Sequence, residues 1–331
     1  MAFQLKPHES VRDGITRNVS HELERVLEYL GSKGPTREHG VVRQSEIVHE
    51  SRKSFKKVRA ALRLVREDLG DEVYREENWS FRDAARPLTL ARDAVALVET
   101  AEKLAPQLAG QIESGASANL RSALLQNQQA VTRRVLEEDK ALVAVKEFTT
   151  RALAGLAAWK IERDGWEAVE SGVRRVYRAG HRALARAGER PSVENLHEWR
   201  KQAKYLWHVL QLLEPAWTGS EKDLADRTHE LSRLLGDDHD LAVLRSTLAA
   251  DPLAYGGHLV LKRVFTIVDR ERQQLEGEAF ALGRVLYADA PKIFTSRMAG
   301  YWKAWAPDLS AAKHAAGEPE PRPRRSPVVR H

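Results

Sequence analysis

Two stretches of this chain, 148 residues apart, spell one helix twice. "VHESRKSFKKVRAALRLVRE" at 48–67 aligns with "LHEWRKQAKYLWHVLQLLEP" at 196–215. His49 pairs with His197, Glu50 with Glu198, Arg52-Lys53 with Arg200-Lys201, Lys56 with Lys204 and Leu62 with Leu210. Further on, "ARDAVALVET" at 91–100 pairs with "DHDLAVLRST" at 238–247 at an offset of 147, and Trp159 falls opposite Trp305 at 146. Three matches at a nearly constant offset imply two halves built on one plan, so whatever unit one half forms, the other must form as well.

That unit is helical. Alternating runs of β-branched and aromatic residues are scarce, whereas Ala, Leu, Arg and Glu recur at three-to-four spacing. Helices are expected at about 9–30, 43–69, 79–105, 116–160, 161–187, 192–214, 219–249 and 257–308, four to each half. Turn chemistry separates several of them: "GSKGP" at 31–35, "GERPS" at 188–192, "LEPAWTGS" at 213–220 and "DPLAYGG" at 251–257. The expected fold is all-α, with two pseudo-symmetric four-helix bundles at 8–160 and 161–308. After Pro307 the composition shifts to "GEPEPRPRRSPVVRH", and 309–331 is expected to be a disordered basic tail.

The chain carries 53 Lys or Arg against 47 Asp or Glu, a net charge of only +6, so the placement of charge matters more than its sum. From Arg52 to Arg66 there are seven Lys or Arg and no acid. Solvent-facing helices normally mix signs, because like charges one turn apart repel. At ~100° per residue, His49, Arg52, Lys53, Lys56 and Arg63 share one face, and Phe55, Val58, Leu62, Val65 and Leu69 point the other way. In the second copy His197, Arg200, Lys201, Lys204 and His208 oppose Trp199, Leu206, Leu210 and Leu213. A third helix, "GVRRVYRAGHRALARAGER", holds Arg174, Arg175, Arg178, Arg182 and Arg186. One cationic face alone would be read as solvated and paired with acids from its neighbours. Its recurrence, with histidine at the same place twice, points instead to a polyanion held between the copies. Each stripe spans ~15–20 Å at 1.5 Å per residue, a length suited to an extended ligand.

These motifs, "VHxxRxxxKxxR" at 48–59 and "LGxxxDLxVL" at 235–244, resemble the CHAD domain (conserved histidine α-helical domain) over about residues 8–308. The resemblance implies two helical bundles about a pseudo-twofold axis, a basic central cavity, binding of inorganic polyphosphate and association with polyphosphate granules. Matched motif by motif, it implies that His49, Arg52, Lys53, Lys56, Arg59, Arg63, His197, Arg200, Lys201 and Lys204 line the cavity. Arg92 and His239 are further candidates, and His208, Arg174 and Arg178 complete the set. His208 and Gln211 stand where cations matching Ala60 and Arg63 would be expected, so the second half would grip more weakly. No triphosphate-cleaving partner domain is visible, so the expectation is a binding protein and not an enzyme, with no cofactor and no metal.

Two other classes are weighed. "DDHD" at 237–240 invites a metal-dependent phosphohydrolase, but its counterpart is Arg92-Asp93, and arginine does not ligate a metal. Asp93 and Asp240 are better read as groups that orient a neighbouring cation. A nucleic-acid binder would interleave exposed aromatics with its cations, whereas Trp159, Trp199, Trp207 and Trp305 fall at apolar or flanking helical positions and are expected in the core. Glycine-rich phosphate loops, a nucleophile elbow and HExxH are absent, and the chain has no cysteine. "MAFQLKPHESVRDG" has no apolar leader and no run is long enough to span a membrane, so a cytoplasmic protein is expected. Lys and Arg are expected to stay charged near neutrality, leaving histidine as the pH-responsive group. His49 and His197 are either phosphate contacts or neutral rings hydrogen-bonded to a neighbouring helix.

Overall fold

The computed structural model describes residues 2–31 and 40–306; the expected break at 31–35, from residue 32 on, and the expected tail at 309–331 lie outside them. Twelve α-helices follow in chain order among the described residues. They are α1 Val11–Gly31, α2 Gly40–Leu64, α3 Arg66–Leu69, α4 Asp71–Ala85, α5 Pro87–Leu108, α6 Ser114–Arg133, α7 Ala141–Gly155, α8 Gly165–Glu189, α9 Val193–Leu213, α10 Leu224–Ala250, α11 Gly257–Leu286 and α12 Pro291–Trp305. Apart from one isolated bridge between Ala109 and Ile112, no extended pairing occurs among the described residues, and the fold is all-α as expected.

Helix boundaries depart from expectation where local chemistry interrupts a helical pattern. The expected helix at 79–105 breaks at Arg86, because Pro87 opens α5 at its first turn and brings no N–H to continue α4. The expected helix at 116–160 ends in a π-helical turn at Arg134–Glu138, after which Lys140 takes a left-handed φ of 51°. The expected helix at 257–308 divides before Pro291, which starts α12.

The pattern of neighbours recurs in order. In the first half α1 packs on α2 and α7, and α5 on α6; in the second, α8 packs on α9 and α12, and α10 on α11. Between the halves, α2 lies against α8 and α9, and α5 against α10. The approach of α2 to α8 requires Gly172, since a Cβ there would overlap the backbone carbonyl of Leu64.

The apolar core does not divide at residue 160. One cluster joins Val19, Phe55 and Leu62 to Val173, Trp199, Leu210 and Met298, and a smaller one joins Leu97, Leu104 and Leu124 to Leu244, Leu248 and Val264. Helix α5 passes from the first cluster (Leu88, Ala91) to the second (Leu97 onward), and α10 does the same (Leu235, then Leu241 onward). Between these anchorages lie Arg92-Asp93 and His239-Asp240. Charge is tolerated there because neither apolar cluster claims that stretch.

Candidate functional site

A cavity of about 610 Å³ opens among α2, α5, α9 and α10. Helix α2 contributes His49, Arg52, Lys53, Lys56 and Lys57; α5, Arg92 and Asp93; α9, Arg200, Lys204, Trp207, His208 and Gln211; α10, His229, His239 and Asp240. That lining holds seven Lys or Arg, four His and only two Asp. The periodicity explains the placement. Phe55, Val58 and Leu62 of α2 and Trp199, Leu206 and Leu210 of α9 are buried, which turns the opposite faces of both helices into the cavity.

Three of the cations are compensated locally. Lys57 lies 2.7 Å from Glu22 Oε1, and Ser54 Oγ donates to the other oxygen of that carboxylate at 2.7 Å. Lys53 pairs with Glu50 at 3.3 Å and Arg92 with Glu99 at 3.0 Å. Arg52, Lys56, Arg200 and Lys204 make no ion pair among the described residues. Arg52 donates to the Ala85 carbonyl at 3.1 Å and to Thr89 Oγ1 at 2.6 Å, and Arg200 Nε is buried without a hydrogen-bond partner.

Burial without compensation shows in the acidities. Desolvation, then Lys204 and Arg52, holds Lys56 well below the ordinary lysine range. Burial and Arg200 push Lys204 down to about 8, against the opposing pull of Asp240. Asp93 and Asp240 are pushed up by burial, although arginines stand near both. The cavity therefore holds an excess of positive charge that its two carboxylates, Asp93 and Asp240, offset only in part.

The histidines divide into two groups. His49 lines the cavity, and its ring is held below the usual imidazole range by burial and by Arg92 of α5, with Glu50 opposing. His197, its counterpart, is outside the lining and packs at a tilt of 40° on His239 with centroids 4.4 Å apart; Nδ1 of each ring is buried without a partner. Burial and Arg200 push His239 down to about 4. The pair of His49 and Arg92 in one half is thus replaced by His197 and His239 in the other. His208 is fully buried, with Nδ1 3.2 Å from Gln211 Oε1.

The structure brings together His49, Arg52, Lys53, Lys56, Arg92, Arg200, Lys204, His208 and His239 from the expected set. Arg59 instead donates to Asn78 Oδ1 at 3.0 Å and lines a neighbouring depression. The guanidinium of Arg63 lies on the Tyr205 ring at 3.7 Å, and Lys201 pairs with Glu198 at 2.6 Å. Arg174 and Arg178 require correction. Val169, Val173, Val176 and Tyr177 form the buried face of α8, so the arginines face outward: Arg174 pairs with Glu170 at 3.6 Å and Arg178 is exposed.

Sequence reasoning missed Lys57 and His229 as lining residues, and it placed Trp207 in the core. Trp207 forms part of the wall, stacked on His229 at 3.9 Å and His208 at 4.4 Å, with Lys204 Nζ 5.6 Å from its centroid. No motif surrounds His229 in the sequence; the packing of α9 on α10 delivers it. The cluster at 237–240 diverges, since Asp237 pairs with Lys103 and Arg233 and Asp238 with Arg272, leaving His239 and Asp240 on the cavity. Among the described residues no helix is long and apolar enough to cross a membrane.

The family model of the CHAD domain matches residues 33–249. The crystal structure of the CHAD domain from the plant Ricinus communis superposes with a TM-score of 0.56 at 15% identity, covering 88% of this chain and 96% of that one, which is a likeness of fold. No curated protein matches the sequence. The matched stretch begins before α2 and ends in the last turn of α10, so it contains every helix that walls the cavity, and the chain belongs to the CHAD domain family.

Proposed function

We propose that the cavity binds inorganic polyphosphate, and that the protein is a binding protein for this polyanion rather than an enzyme acting on it. One observation carries the proposal: Arg52, Lys56, Arg200 and Lys204 converge on one cavity with no acid paired to any of them among the described residues. Polyphosphate repeats one negative charge per unit on a flexible backbone, so a row of unmatched cations meets it at successive phosphates. Arginine grips phosphate oxygens in pairs, and lysine follows as a mobile point charge. An exposed ion pair is worth only ~0–1 kcal/mol. Partial enclosure raises each contact toward ~4 kcal/mol at 4 Å before desolvation is subtracted. The family resemblance implies the same binding, and with it association with polyphosphate granules.

A nucleic acid would also supply phosphates, but Trp207, the tryptophan of the lining, is already engaged in stacking with His208 and His229. The test is a direct binding measurement with orthophosphate, tripolyphosphate and long polyphosphate, with single-stranded DNA as competitor. Affinity is expected to rise with polyphosphate length, without added metal, and to survive an excess of DNA. Orthophosphate binding as tightly as a long chain would overturn the extended site, and DNA displacing the long chain at equal phosphate would favour a nucleic-acid ligand. Release of orthophosphate with Mg²⁺ or Mn²⁺, lost in Asp240→Ala, would replace binding with hydrolysis.

A further inference from the structure

At the break between α4 and α5 a second depression, of about 430 Å³, opens beside the cavity. Arg52 and Lys56 line both spaces, so the two basins share a cationic rim. Beyond that rim stand Arg59, Arg82 and Arg86. Asp83 is the carboxylate among them: Arg82 Nε donates to it at 2.9 Å, and Arg82, Arg86 and Arg59 together hold its carboxyl below the usual range. Five cations therefore surround one acid. The break that creates the depression follows from Pro87, and Arg52 is tied to both sides of it through Ala85 O and Thr89 Oγ1.

The second half treats the matching positions differently. At the offsets of 148 and 147, Arg59 corresponds to Trp207, Arg82 to His229 and Arg86 to Arg233. There α10 runs unbroken, Trp207 and His229 stack on each other, and Arg233 is paired with Glu230 at 2.6 Å and Asp237 at 3.0 Å. The first half has an arginine-rich opening where the second has an aromatic stack and a neutralised arginine.

We propose that the depression is an outer subsite for the same polyanion, holding the part of a polyphosphate chain that leaves the cavity over Arg52 and Lys56; this rests on the polyphosphate reading of the cavity. A chain confined to the cavity does not reach Arg82 and Arg86, whereas a longer one gains their charge. Length dependence therefore originates on the first-half side of the molecule, and the ligand exits toward α4.

The experiment compares tripolyphosphate with long polyphosphate in the parent, in Arg82→Ala/Arg86→Ala and in Arg174→Ala/Arg178→Ala, with circular dichroism to confirm the fold. The α4–α5 variant is expected to bind the long chain roughly three- to tenfold more weakly with a flatter salt dependence, and tripolyphosphate as the parent does. Arg86→Ala alone, which leaves the Arg82–Asp83 pair in place, is expected to show part of that loss. The α8 variant removes equal charge from an outward face and is expected to bind both ligands normally. Unchanged long-chain affinity in the α4–α5 variant, equal losses for both ligands, or an equal loss in the α8 variant would each overturn the subsite. A parent that binds neither ligand would instead refute the polyphosphate reading itself.

Discussion

Lys204 is a lysine that titrates near neutrality. Burial and Arg200 bring it to about 8, and Lys56 beside it is also depressed, so lysine as well as histidine responds to pH in this cavity. A bound polyanion raises the pKa of Lys204 above its free value. Below about pH 8 Lys204 is charged with or without ligand and contributes no pH dependence. Above that value the free side chain loses its proton and binding must restore it, so affinity falls as pH rises toward the bound-state pKa. Affinity measured from neutrality upward should show this decline, and Lys204→Arg, which stays charged, should flatten it. A parent profile with no decline would contradict the assignment.

The acid side of the same profile separates the two repeated histidines. His49 faces the cavity among Arg92, Lys53, Lys56 and Glu50, whereas His197 lies behind His239. Its free-state pKa is lowered, and bound phosphate raises it, so affinity should strengthen as pH falls through that interval. His49→Gln should reduce the slope and His197→Gln should leave it nearly unchanged. Equal effects would mean that sequence equivalence, and not position in the cavity, governs the response.

At the scale of helices, α2 and α9 carry the site because each buries one face and turns the other toward its counterpart. Lys56 and Lys204 approach at this crossing as desolvated like charges, and Lys204 helps to lower the pKa of Lys56. Holding them there costs the free protein stability, and a bound polyanion would relieve that cost. Lys56→Gln/Lys204→Gln should therefore raise the melting temperature of the free protein while weakening polyphosphate binding by ~10–100-fold, the scale of losing charge-assisted hydrogen bonds. A variant that melts earlier and binds weakly would indicate a damaged fold and would not support the crossing as a binding device. The periodicity of α2 and α9 was legible in the sequence down to their core residues. The equally basic α8 was misread, because nothing local distinguishes a cationic face turned to a cavity from one turned to water.

For the whole molecule, a polyanion that bridges α2, α5, α9 and α10 binds only when both halves are folded and assembled. It should stabilise the native state by mass action, and the gain should shrink as salt screens the contacts. Thermal unfolding with long polyphosphate should show a raised midpoint at low ionic strength, smaller at high ionic strength, and little change with orthophosphate at equal phosphate concentration. A midpoint insensitive to the long chain would argue against binding across the halves.

The sequence by itself determined the helical class and the two stripes that become cavity walls, because helical periodicity converts spacing directly into faces. It also marked Arg92 and His239 through their paired segments. Only the tertiary structure decided which faces meet. The two apolar clusters draw on both halves, and their sharing sets the rotation of each helix about its own axis. That rotation turned Arg174 and Arg178 to solvent, placed Trp207 and His229 on the cavity, and put His197 behind His239 while leaving His49 in front. Spacing along a chain specifies a face, but the partner of that face depends on long-range packing, which no local pattern encodes.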